Sequence, residues 1–178
     1  MRADLLIVLA SSMLVLIGCA TDRPMVRMDK GVTLSGYRGF EVELTKNGTG
    51  KPLPEMILEK ISKRLRLKLA EKGLTVHEQK GDETGVVLLR STLISYDLIN
   101  PGEYAVIPGF KDECIVQTEL IDKTTNQVLG EFVARGTIGP GGGLAGVATA
   151  LVSDLETRMI DMAAESIAGE IARQVGKR

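Results

Sequence analysis

Side chains suited to chemistry are few in this 178-residue sequence: one histidine, His77, and two cysteines, Cys19 and Cys114. A zinc site needs several His, Cys or carboxylate groups at short spacing, and a lone His beside Glu78 makes no such cluster. His77 therefore reads as a surface or edge residue. No G-x-S-x-G and no H-E-x-x-H occurs, so neither a serine hydrolase nor a zinc protease has visible machinery. Asp154, Arg158, Asp161 and Glu165 fall three or four residues apart, and two carboxylates can divide acid and base roles. With no nucleophile nearby in sequence they read instead as a solvated helix face, Asp154 to Arg158 attractive and Asp161 to Glu165 repulsive. The expectation is a protein that is not an enzyme and carries no cofactor or metal. A site assembled only by tertiary geometry would leave no spacing to find, which keeps an enzyme or a small-ligand binder as a further reading.

Glycines offer a second chemistry. Gly139-Pro-Gly141-Gly142-Gly143-Leu-Ala-Gly146 precedes a helical pattern, and exposed N–H groups at a helix start attract anions. No Walker lysine follows, and the strand, tight-turn and acidic-residue context of the dinucleotide G-x-G-x-x-G motif is missing, which argues against a nucleotide. The segment reads as a pliable connection or as a close-contact surface for another backbone, with Gly141, Gly142 and Gly143 as candidate contacts. In "NPGEYAVIPGF" two prolines and two glycines argue for a loop, whose Tyr104 and Phe110 are aromatic anchors of the kind enriched in binding sites.

Cys19 has the most specific context. Leu5 to Ile17 is apolar but shorter than the roughly 20 residues that cross a bilayer as a helix, and it fits the apolar core of a signal peptide. Leu16-Ile17-Gly18-Cys19 resembles the lipobox of bacterial lipoproteins. The resemblance implies cleavage after residue 18 and a diacylglycerol thioether on Cys19, usually with an amide-linked third chain. Two or three acyl chains anchor stably where one is marginal. Ala20, where inner-membrane lipoproteins of enteric-type bacteria commonly carry Asp, makes the resemblance favour the periplasmic face of the outer membrane, with Asp22 keeping the inner membrane as the alternative. A net charge of −1 provides no field for nucleic acid, which is also the wrong partner for an exported chain. Cys114, left without an intramolecular partner, reads as a buried small hydrophobe, or as an exposed thiol linking two copies.

The elements that must hold these residues follow from periodicity. Residues 19–36 lack either period and read as a lipidated tether ahead of a single domain over 37–178. Phe40 to Thr45 alternates as a strand. Ile57, Ile61, Leu65 and Leu69 recur every four residues, with Pro54 at the first helical position and Gly73 as the C-terminal cap, which predicts a helix with one buried stripe. Its Lys60, Arg64 and Lys68 share a face that is either solvated or set against anionic lipid. "LTVHE" and Val86 to Ile99 read as strands, the latter central because it opens apolar on both faces. Glu113 to Ile121 and Val128 to Thr137 read as a hairpin across "DKTTNQ". Val152, Leu155, Met159, Ala163, Ile167, Ile171 and Val175 recur three or four residues apart and predict a second helix. The sum is an α+β fold, a single mixed sheet of about five strands with two helices packed on one face.

This order behind a lipobox, together with "GFKDECIVQTELIDKTTNQVLGEF" and "GPGGGLAG", resembles a group of uncharacterised exported bacterial lipoproteins. At fold level it is similar to the curli-secretion lipoprotein and the amino-terminal domain of the translocation protein TolB. The resemblance implies a structural or partner-binding module of an envelope assembly, held to the membrane by its lipid and meeting an envelope protein or its own copies. A subunit of an oligomeric secretion-type complex is the alternative.

Overall fold

The computed structural model describes residues 23–78, 84–98, 112–138 and 155–176. In chain order the elements are β1 (Met25–Met28), β2 (Gly39–Val42), β3 (Lys46–Asn47), α1 (Glu55–Glu71), β4 (Val76–His77), β5 (Val86–Asp97), β6 (Asp112–Asp122), β7 (Val128–Ile138) and α2 (Leu155–Val175). All seven strands join one sheet in the order β1-β7-β6-β5-β2-β4, with β3 also pairing β5. The fold is α+β, as the sequence predicts, with two more strands than the five expected.

Both extra strands are short. β3 continues the line of β2 along β5, Lys46 opposite Thr92 and Asn47 opposite Leu93. β1 lies antiparallel to β7, Met25 opposite Val133 and Met28 opposite Gly130. The sheet thus begins inside the stretch expected to be a tether, and Leu34 from the same stretch is fully buried. Four residues of mixed polarity carry no periodic signal, so β1 exists only because β7 offers it an edge.

The sheet is mixed because its two halves are built differently. β2, α1 and β4 form a crossover unit, with β4 and β5 both parallel to β2 on opposite sides. β5, β6 and β7 form an antiparallel meander. Its second turn is set by Asp122: the Oδ1 atom accepts from the N–H groups of Thr124 (2.8 Å) and Thr125 (2.9 Å), while Asn126 takes φ 58°. Such side-chain closure of a turn is what Asp and Asn provide.

The core lies between the sheet and the helices. Phe40, Val42, Leu89, Leu93, Val116, Leu120 and Phe132 point into it from the strands. Ile57, Ile61, Leu65 and Leu69 meet them from α1, and Met159, Ala163, Ile167 and Ile171 from α2. Each fully buried Leu or Ile contributes about 1.5–3 kcal/mol relative to exposure. Two polar pairs on this face satisfy each other: the Ser91 and Thr118 hydroxyls lie 2.9 Å apart, and the Ser62 Oγ accepts from the Thr45 N–H at 2.8 Å. Partnering matters there because an unmatched buried hydroxyl costs about 1–3 kcal/mol. The opposite face is polar and charge-paired, with Glu41 to Lys123 at 2.6 Å and Glu43 to Arg90 at 3.0 Å.

Candidate functional site

Of the residues singled out as candidate sites, Cys19, Tyr104, Phe110, Gly141, Gly142 and Gly143 all lie outside the described residues, as does Asp154. The charged helix faces, Cys114 and His77 lie within them. Their placement changes how each is read.

The basic stripe of α1, read as solvated or set against lipid, and the acidic side of α2, read as solvated, face one another. Lys60 pairs with Glu156 at 2.8 Å, Arg64 with Asp161 at 3.3 Å, and Lys68 with Glu165 at 3.6 Å, Lys72 also reaching Glu165. The pairs advance together along both helices, so α1 and α2 run in the same direction. Glu71 hydrogen-bonds Lys68, which raises that ammonium's pKa. Repulsion between Asp161 and Glu165 is relieved from the neighbouring helix, and no stripe of cations is left on α1 for a lipid surface.

At the start of this seam the Tyr96 hydroxyl donates to Glu156 at 3.0 Å, placing Tyr96, Glu156 and Lys60 in one cluster. Burial, followed by the hydrogen bond to Glu156, pushes the Tyr96 phenol far above its usual range. Cys114, opposite Tyr96 on β6, is completely buried. Loss of solvation raises its thiol to about 12, so the thiolate nucleophile is suppressed. Cys114 is thus a packing residue, not a link between copies. Tyr37 is likewise raised to about 12 by burial and by its 2.9 Å hydrogen bond to Asp122. Asp122 itself is lowered, first by the Thr125 backbone N–H. None of these groups forms a metal cluster among the described residues.

His77 sits at the β4 edge, as expected, but with a packing role. A Cβ on Gly39 would lie 2.1 Å from the His77 ring, so the imidazole occupies the space that glycine leaves on β2.

The opposite end of the molecule holds what sequence reasoning missed. Arg23 and Pro24 lie against the second half of α2, lining an open groove of about 340 Å³ with Glu165, Ser166, Gly169, Glu170 and Arg173. The Glu170 carboxylate, nearly buried, is held by Arg173. Residues 23–30 are three cations interspersed with apolar residues, too short for a periodic signal to reveal. Gly136 was also missed: a Cβ there would fall 2.0 Å from the Met159 carbonyl oxygen. Only a glycine on β7 lets α2 lie this close to the sheet.

A family model described as a domain of unknown function (DUF4410) matches residues 32–142. No curated protein matches the chain in sequence. Among solved structures, a PelC dodecamer from Paraburkholderia phytofirmans is 18% identical, with TM-score 0.50, covering 82% of this chain and 97% of that one. A protein of another uncharacterised family from Xanthomonas campestris is 9% identical, with TM-score 0.54, covering 83% and 91%. A putative lipoprotein from Caulobacter crescentus is 13% identical, with TM-score 0.47, covering 82% and 96%. At these identities the first two share the fold.

Proposed function

Since the chain belongs to the DUF4410 family, whose function is unknown, we propose that it is a lipid-anchored, partner-binding module of the bacterial envelope. Its role is to bind, not to catalyse. The observation that carries this reading is the junction between address and domain: Arg23, already packed beside α2, follows Cys19 by only four residues. A diacylglycerol on Cys19 would therefore hold the domain directly at the headgroups, on the periplasmic face of the outer membrane if Ala20 acts as the sorting residue. Candidate partner contacts remain Tyr104, Phe110 and Gly141 to Gly143.

Replacing Cys19 tests the anchor. Wild-type protein should sediment with membranes and carry the mass of at least two acyl chains, and Cys19→Ser should lose both properties. A Cys19→Ser chain that stays with the membrane, or a wild type without lipid, refutes the reading.

A second reading, self-assembly, draws on the PelC dodecamer and on one feature of the sheet. Among the described residues β1 covers only Gly130 to Val133 of β7, leaving Ala134 to Ile138 without a strand on that side. Uncovered strand edges pair readily with another chain. A discrete large oligomer in detergent, seen by light scattering, supports this reading, and a monomer rejects it.

A further inference from the structure

Four residues of chain reach at most about 14 Å even when fully extended. The surface around Arg23 is therefore confined to that distance from a lipid on Cys19. The β1 edge and the turn after it continue from Arg23. Met25 is 72% exposed and Val26 36%. Arg23, Arg27 and Lys30 are exposed beside them, and their side chains make no ion pair or hydrogen bond among the described residues. The nearby carboxylates on α2 are already neutralised, Glu165 by Lys68 and Lys72, and Glu170 by Arg173. Asp29 and, opposite Arg27 on β7, Glu131 offset two of the three cations, leaving the edge with a net positive charge.

Resting on the lipid anchor at Cys19, we propose that this β1 edge is the membrane-facing surface of the domain, seated on anionic phospholipid headgroups. Cations close to an anionic leaflet are attracted within a Debye length. Exposed apolar side chains between them settle at the boundary of headgroups and acyl chains. The basic stripe of α1 is no competitor, because the acids of α2 occupy it. The placement sets an orientation: α1 begins at the far end. Met56 lies twelve residues before Lys68, about 18 Å along the helix axis from the level of the groove.

The experiment uses full-length lipidated protein in vesicles of phosphatidylethanolamine and phosphatidylglycerol that carry a headgroup nitroxide. A thiol fluorophore is placed at Met25→Cys or at Met56→Cys, since buried Cys114 resists labelling in the folded protein. Quenching at position 25 should exceed that at position 56 by about threefold or more. Adding Arg23→Glu and Arg27→Glu, or replacing phosphatidylglycerol by phosphatidylcholine, should bring the ratio towards one. Equal quenching at both sites on a protein shown by mass spectrometry to be lipidated overturns the proposed face and leaves the anchor standing. A sample without lipid refutes the anchor and this placement with it.

Discussion

The two helices lie side by side on one face of the sheet, yet the faces they bury differ in width. α1 buries a narrow stripe, Ile57, Ile61, Leu65 and Leu69 with Ser62, and sits over the β2 and β4 edge. α2 buries two adjoining rows, Met159, Ala163 and Ile167 with Ile160, Ala164, Ala168 and Ile171, because it must cover β6 and β7 and also meet α1. Small side chains and Gly136 bring α2 almost into contact with the strand backbone. Apolar area therefore supplies the attachment of both helices, and charge supplies the alignment between them. A partly exposed ion pair is worth only about 0–1 kcal/mol, so the ladder selects register more than it adds stability.

That division can be broken from either side. The largest effect should come from α2: Ile167→Ala, at the centre of its wide buried face, should cost about 2–5 kcal/mol in urea unfolding. Ile57→Ala, in the first turn of α1 and slightly exposed, should cost less. The reverse order would mean that α1 is the better anchored helix. Next, Gly136→Ala should destabilise by about 1–3 kcal/mol, since a methyl group must push the Met159 carbonyl aside. A neutral result would show that α2 has room to lift from β7. The smallest effect belongs to the seam. A double-mutant cycle on Arg64→Ala and Asp161→Ala should give a coupling of about 0.2–1 kcal/mol that shrinks with added salt. Coupling well above this would make the ladder a structural support in its own right.

Much of the fold was legible from sequence because its long elements are amphipathic. Four-residue spacing identified α1 to within a residue or two, and the apolar opening of Val86 to Leu89 marked β5 as central, where it pairs β2 and β6 on its two sides. The β6 and β7 hairpin followed from turn residues whose hydrogen bonds are local. β1 and β3 were not legible, since four and two residues cannot display a period and their pairing is supplied by another strand. The basic stripe was found and assigned wrongly for the same reason, and Glu156, the acid that meets Lys60, was not among the residues singled out. Spacing places Lys60, Arg64 and Lys68 on one face of a helix but cannot say what that face meets.

The sequence by itself determined the short apolar run, the lipobox resemblance at Cys19, the two helices, the central strand and the hairpin after it. These depend on contacts within a segment or on an alternation that any observer of the chain can count. Only the tertiary structure decided that the two charged stripes neutralise each other, that Cys114 is buried beside Tyr96, and that Gly136 faces a helix carbonyl. It also brought Arg23 to Lys30, expected to be a tether, onto the edge of the sheet. Those outcomes depend on which distant segments become neighbours, and a helix or strand carries no record in its own residues of what will pack against it.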